Sequence, residues 1–191
     1  MSNSIPLPAL LDKSWTLFLD RDGVVNEEIV GSYVTSWNEF RFCEGALVAL
    51  QTLSEIFGNI VVVTNQRGVG RGIMTMESLK EINHHMIDSI KMEGGRIDRI
   101  YTCTAVGEND HNRKPNPGMA LQAREDFPAI DFKKSVIVGN SLSDMEFGKR
   151  LGMYSVFLTT KSTFELPHDL INEQFSSLVS WTESLKPATV F

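Results

Sequence analysis

Four short polar stretches of this chain hold the residue types that phosphate-ester hydrolysis requires. Asp20-Arg21-Asp22-Gly23 sets two carboxylates two residues apart, and Thr64-Asn65-Gln66 brings a hydroxyl and two amides. Arg113-Lys114-Pro115 brings two cations, and Gly139-Asn140-Ser141 is followed by Asp144. A carboxylate can attack the phosphorus of an anionic ester only if cations offset the repulsion as the two approach. Mg²⁺ suits that task, because it takes oxygen ligands and shares its coordination sphere with phosphate. On this reading Asp20 is the nucleophile, with one oxygen for the metal and the other for phosphorus. Asp22 is placed to protonate the leaving oxygen and later to take a proton from water. Gly23 lets the backbone turn sharply. Thr64 offers a hydroxyl to phosphate oxygens, and Lys114 offers a compact positive charge.

These stretches matter together only if the fold brings them together. Trp15–Leu19, Ile60–Val63, Arg99–Cys103, Val136–Val138 and Tyr154–Leu158 read as strands. Continuous apolar, β-branched runs suit strands buried on both faces of a parallel sheet. Between them lie helical periods. Leu47, Leu50, Leu53 and Phe57 recur at spacings of three and four, with Gly58 as the stop. Leu79, Ile82, Met86 and Ile90 do the same up to Gly94-Gly95. Pro117 begins another helix, and Ser143 to Leu151 gives a fourth, closed by Gly152. The alternation predicts an α/β fold with an open parallel sheet and right-handed crossovers. Ligands of such folds bind at the carboxyl ends of the strands, which is where three of the polar stretches fall. Val24–Glu44 reads as an irregular excursion, and Phe175–Leu185 as a last helix. No linker marks a second domain, so residues 1–191 read as one domain.

Each feature also has a plainer reading. A lone Asp-x-Asp is usually a solvated turn, and a lone lysine is usually surface charge. Asp144 falls in the first turn of a helix, where an acid favours the helix dipole; that role and a metal-related one both stay open. Gly68–Gly72 lacks the Gly-Lys-Ser/Thr ending of a nucleotide loop. It reads as a flexible loop near the site, with Arg71 a candidate substrate contact. His84 and His85 are neighbours on a helix and face different directions, so they make a poor metal pair. Cys43 and Cys103 read as packing residues, since no activating group is evident.

Composition narrows the classes further. A chain of 191 residues with 42% hydrophobic and 22% charged residues is ordinary for a globular protein. The formal net charge of -6 argues against nucleic acid as a partner, which calls for a basic face. It leaves small anionic substrates open, because a few local cations can dominate a pocket. No apolar run approaches the roughly 18–20 residues of a membrane span. With only two cysteines and no signal-peptide pattern, a cytoplasmic location is expected. A monomer is expected.

The strings that carry the chemistry resemble the motifs of a known family. Asp20-Arg21-Asp22-Gly23-Val24-Val25-Asn26, Thr64-Asn65-Gln66, Lys114 and Gly139-Asn140-Ser141-Leu142-Ser143-Asp144 resemble, in order, the four motifs of the haloacid dehalogenase-like phosphatases. The resemblance implies a Rossmann-like three-layer sandwich with a parallel sheet in the order 3-2-1-4-5. It implies a phosphoaspartyl intermediate on Asp20, with Asp22 as the mark of a phosphatase. DRDGVVN, SYVTSWNEFRFCEGA, TNQRGVGRG and RKPNPGM are similar to the branch that holds heptose-1,7-bisphosphate 7-phosphatases and histidinol-phosphate phosphatases. That branch has little or no cap domain, and the gap from Asp22 to Ala46 is too short for one. By this resemblance Asn65 and Arg113 are substrate contacts. Asp20, the carbonyl of Asp22 and the side chain of Asn140 hold Mg²⁺. The substrate is then a small phosphorylated metabolite, heptose 1,7-bisphosphate or, alternatively, histidinol phosphate.

Two departures qualify the resemblance. The heptose enzymes often carry a zinc knuckle before the RKP segment. Cys103 and His111 stand there alone, and structural zinc wants about four Cys or His donors, so no structural zinc is expected. Motif IV usually has aspartate where this chain has Asn140. A neutral amide removes one negative charge from the site, which implies weaker metal binding or altered activity. Asp144 is a candidate to compensate through a metal-bound water. A member that binds phosphorylated ligands with little hydrolysis is the alternative of a different class.

Overall fold

The computed structural model describes residues 7, 11–160 and 168–185. Six parallel strands form one sheet in the order β3-β2-β1-β4-β5-β6. They are β1 (Thr16–Leu19), β2 (Asn59–Asn65), β3 (Arg99–Cys103), β4 (Ser135–Gly139), β5 (Tyr154–Leu158) and β6 (Glu173–Phe175). Among the described residues six α-helices connect or flank them: α1 (Ala46–Ile56), α2 (Arg67–Gly70), α3 (Met76–Met92), α4 (Gly118–Asp126), α5 (Leu142–Leu151) and α6 (Leu178–Ser184).

The apolar runs form strands because both of their faces are covered. Successive side chains of a strand point to opposite faces. Leu17, Leu19, Ile60, Val62, Val136 and Val138 pack to one side with residues of α1, α3 and α6. Phe18, Val61, Val63 and Ile137 pack to the other with Met119, Ala120 and Ala123 of α4 and Phe147 of α5. The result is the predicted three-layer sandwich. In α3 the predicted period is the buried face: Leu79, Ile82, Met86 and Ile90 are its buried residues. Burial of side chains of this size contributes about 1.5–3 kcal/mol each. At its start Thr75 accepts a hydrogen bond from the Ser78 amide, which satisfies one of the free donors of the first turn. Gly152 ends α5 with a left-handed backbone (φ 72°).

Register puts the site together. Phe18 lies between Val61 and Ile137, and Leu19 between Val62 and Val138. The carboxyl ends of β1, β2 and β4 are therefore side by side, at the point where the strand order reverses, and ligands of open α/β sheets bind there.

Two expectations change and one gains detail. Gly68–Gly72, expected as a flexible loop, begins inside the short helix α2 (Arg67–Gly70), where Gly68 packs against the ring of Tyr33. Phe175 ends a sixth strand, and the last helix starts later, at Leu178. The excursion over residues 24–44 is irregular, as expected, yet Val24, Val25, Val34 and Phe40 in it are buried. It folds back on the site through bridges Asp22–Asn26 and Asn26–Phe42.

Candidate active site

Asp20 is the first residue beyond β1, and its amide donates to the Val138 carbonyl at 3.0 Å. That bond carries the strand pairing one step past the sheet and fixes where the side chain starts. Asp20 Oδ1 accepts from the Arg21 amide at 2.8 Å and pairs with Lys114 Nζ at 2.8 Å. Among the described residues no donor reaches its other oxygen, Oδ2. One oxygen is thus held and the other is left for a ligand. Burial is the largest influence on this carboxyl and pushes its pKa up; the charges of Asp144 and Asp22 add to the rise, and Lys114 opposes it.

Asp22 is held from three sides. Arg21, itself fully buried, donates to both of its oxygens at 2.9 and 3.1 Å. Asn26 Nδ2 donates to Oδ1 at 3.0 Å, and Gln66 Nε2 to Oδ2 at 2.6 Å. Burial disfavours the ionised form, but the Arg21 charge and these hydrogen bonds outweigh it, and the pKa lies below the usual carboxylate range. The two carboxyls of the Asp-x-Asp pair are therefore tuned in opposite directions, a pattern that separates roles at a site.

Lys114 Nζ also donates to Asp144 Oδ1 at 2.6 Å. The second oxygen of Asp144 accepts from the Ser141 amide at 3.0 Å and the Ser141 hydroxyl at 2.6 Å, closing a capping box at the start of α5. The Lys114 loop is tied to the end of β2 by Asn65, whose Oδ1 accepts from the Lys114 amide at 3.0 Å and whose Nδ2 donates to its carbonyl at 3.2 Å. Thr64 is buried, and its hydroxyl accepts from Gln66 Nε2 at 2.9 Å. Arg113 is 8% exposed. Its Nε donates to Glu108 at 3.1 Å, Arg67 pairs with the other oxygen of Glu108, and Arg113 Nη1 is buried with no partner among the described residues.

A cleft of about 170 Å³ opens above these groups, lined by Asp20, Asp22, Asn65, Gln66, Lys114 and Asn140, among others. Gly23 makes the fit of Asn140 possible. Its φ is 86°, and a Cβ there would stand 1.9 Å from Asn140 Nδ2. The residues around this cleft suit a hard divalent cation, which takes oxygen ligands: Asp20, Asp22 and Asn140 all line it and all carry oxygens that could serve. Among the described residues no group of three His, Cys, Asp or Glu side chains could hold a metal alone.

The sequence matches the polynucleotide kinase 3 phosphatase family over residues 18–170. The chain belongs to this family, within the haloacid dehalogenase-like phosphatases. It is 41% identical to the D-glycero-alpha-D-manno-heptose-1,7-bisphosphate 7-phosphatase of Mycobacterium bovis over 133 residues, which are 69% of this chain and 70% of that one. It is 31% identical to the D-glycero-beta-D-manno-heptose-1,7-bisphosphate 7-phosphatase of Helicobacter pylori over 168 residues, 86% of this chain and 95% of the relative. The fold matches the crystal structure of D,D-heptose 1,7-bisphosphate phosphatase from B. bronchiseptica, complexed with magnesium and phosphate. There the TM-score is 0.80 at 27% identity, covering 90% of this chain and 97% of that one.

Within this phosphatase the fold brings Asp20, Asp22, Asn65, Lys114 and Asn140 to one cleft. Thr64 and Asp144 stand behind it, the first on Gln66 and the second on Lys114 and Ser141. Arg113 faces Glu108. Arg71, beside the site, donates to the Tyr33 hydroxyl at 3.1 Å. Three residues to which sequence reasoning gave no role are built into the site: Arg21, Asn26 and Gln66, all donors to Asp22. The only signal for them was their place inside the motif strings. Among the described residues no helix is long and apolar enough to cross a membrane.

Proposed function

We propose that this phosphatase hydrolyses a small phosphorylated sugar through a phosphoaspartyl intermediate on Asp20, with Mg²⁺ bound by Asp20, the Asp22 carbonyl and Asn140. The observation that carries the reading is the asymmetry of Asp20. One of its oxygens is fixed by Lys114 and the Arg21 amide, and the other is unengaged at the head of the cleft.

In the first step the unengaged oxygen of Asp20 forms a bond to phosphorus as the ester P–O bond breaks. Asp22 gives its proton to the leaving oxygen. The free Asp22 is ionised, but a dianionic phosphate beside it raises its proton affinity, since a like charge disfavours the ionised form. In the second step Asp22 takes a proton from water, the water oxygen bonds to phosphorus, and Asp20 is released with inorganic phosphate. Lys114 offsets charge on Asp20 throughout, and Asp144 holds Lys114 in place. Mg²⁺, held by Asp20, the Asp22 carbonyl and Asn140, would supply charge neutralisation for the anionic phosphoryl group. Thr64 acts behind the cleft, as an acceptor for Gln66, and Asp144 acts there through its ion pair with Lys114.

Heptose 1,7-bisphosphate is the preferred substrate on this reading, since the named relatives act on it. A second phosphate would find Arg113, which has a buried and unpartnered nitrogen, beside Arg67 and Arg71. Asn65 then serves the substrate by holding the Lys114 loop against the end of β2. The test is a panel of heptose 1,7-bisphosphate, histidinol phosphate, an aryl phosphate and a 3′-phosphorylated oligonucleotide, with Mg²⁺ and with Asp20→Asn as control. The heptose bisphosphate is expected to turn over fastest and Asp20→Asn to be inert. Turnover of histidinol phosphate alone would replace the sugar. Inertness toward the whole panel would mark a phosphate-ligand binding protein, the reading that Asn140 motivates.

A further inference from the structure

We infer that Thr160 is a positioning residue that fixes which way the Asn140 amide faces, and so lets a neutral side chain present oxygen to a cation in the cleft. The inference rests on the reading of that cleft as a Mg²⁺ site.

A carboxylate has two equivalent oxygens and presents one whichever way it is turned. An amide does not: reversed, it would aim an N–H donor at the cation. Something must therefore set the Asn140 amide. Asn140 Nδ2 donates to Thr160 Oγ1 at 3.1 Å, and Thr160 Oγ1 donates to the Gly23 carbonyl at 3.2 Å. A hydroxyl has a single proton. Gly23 O accepts from no other group among the described residues, so that proton is committed to it. What Thr160 then offers Asn140 is a lone pair, which accepts from nitrogen and repels oxygen. Reversal of the amide would set Oδ1 against that lone pair and leave Nδ2 facing the cleft. In the arrangement observed, Oδ1 of Asn140 accepts no hydrogen bond among the described residues.

The elements make this relay short. Asn140 and Thr160 follow neighbouring parallel strands, with Gly139 in register with Phe157. Gly23, with no Cβ to obstruct, brings its backbone against Asn140 from the third side. Turn, amide and hydroxyl are thus contributed by the ends of β1, β4 and β5. Groups that orient a metal ligand in this way commonly change metal affinity by about 10–100-fold when removed.

The test is Mg²⁺ binding to the full chain by isothermal titration calorimetry, without substrate, for Thr160→Val, Thr160→Ser, Asn140→Asp, Asn140→Ala and Asn140→Asp/Thr160→Val. Thr160→Val keeps the shape and loses the hydroxyl, and is expected to weaken Mg²⁺ by about tenfold. Thr160→Ser restores the hydroxyl and is expected to bind within about twofold of wild type. With aspartate at 140 the orientation no longer matters, so adding Thr160→Val there is expected to change affinity by less than about twofold. Wild-type affinity in Thr160→Val, or an equal loss in the Asn140→Asp background, would overturn the inference. Asn140→Ala separates the two layers. If it binds Mg²⁺ as wild type does, the metal-site reading fails as well; if it binds weakly while Thr160→Val does not, only the positioning role fails.

Discussion

Lys114 and Asp144 form an ion pair at 2.6 Å in which the side chains are 2% and 0% exposed. Burial disfavours the ammonium, but Asp144 and Asp20 together outweigh it, and the Lys114 pKa stands above its ordinary value. Lys114 is therefore held as its ammonium, and with both side chains buried neither can turn to water if the other is lost.

Asp144→Ala leaves Lys114 with Asp20 alone and deprives the Ser141 amide of its acceptor. Removing one partner of a buried pair typically costs about 3–5 kcal/mol. Equilibrium urea unfolding is expected to show a loss of that size. A loss under about 1 kcal/mol, the range of exposed ion pairs, would mean that Asp144 is not held as described.

Magnesium is expected to stabilise the protein more at pH 8 than at pH 6. Burial first, then Asp144 and Asp22, push the Asp20 carboxyl up to about 7, against the pull of Lys114. In the metal-free protein, ionising Asp20 is unfavourable, so the stability that its neutral form provides is lost as pH rises from the ordinary carboxylate value through about 7. A cation binds the ionised form and must displace the proton below that point. The Mg²⁺-induced rise in Tm should shrink, and the apparent affinity should fall toward about tenfold per pH unit, as pH drops below it. Equal Mg²⁺ shifts at pH 6 and pH 8 would contradict this account of Asp20.

Gln66→Leu is expected to move the acid limb of the kcat profile for an aryl phosphate to higher pH. Its good leaving group leaves the second step limiting, and there Asp22 must take a proton from water while Asp20 is esterified and does not titrate. Gln66 Nε2 donates to Asp22 Oδ2 at 2.6 Å and helps hold that carboxyl ionised. With the donor gone the Asp22 pKa rises, and its base form is lost at a higher pH than in wild type. A pH–rate series on both proteins checks this. An unmoved limb would remove Gln66 from the control of Asp22.

Much of this is legible in the amino-acid sequence. The runs that form β1, β2, β4 and β5 are largely apolar because both faces are covered, and three of the four polar motifs sit at strand ends, where the chain leaves the core. β6 carried no such signal: Glu173–Phe175 is three residues long, partly exposed and at the sheet edge. The short helix α2 was hidden because its glycines lower helix propensity, while the packing of Gly68 on Tyr33 is a tertiary effect. In the site, residue identity pointed to Asp20, Asp22 and Lys114. It could not show that Asp144 faces Lys114, because helix capping and metal binding ask for the same acid at the same place. Arg21, Asn26 and Gln66 act on Asp22 from separate positions in the chain, and only the folded chain reveals that convergence.

Asn140→Asp is expected to tighten Mg²⁺ binding. The Asn140 amide is 4% exposed at the end of β4, beside Gly23 and lining the cleft with Asp20. It offers a dipole where aspartate would offer a full charge. Two unit charges about 4 Å apart attract by about 1 kcal/mol in water, and a divalent ion doubles that. The added carboxylate should therefore strengthen binding by about tenfold to thirtyfold, less whatever the burial of a further charge beside Asp20 and Asp144 removes. That repulsion has a second consequence. Without metal, Asn140→Asp adds a carboxylate next to Asp20, whose pKa is already raised, and should lower the Tm, most strongly above pH 7. With saturating Mg²⁺ the order should reverse, the variant becoming the more stable protein. Thermal unfolding of both proteins, with and without Mg²⁺, checks both halves. Tighter Mg²⁺ binding by the wild type would mean that the amide is not at the metal.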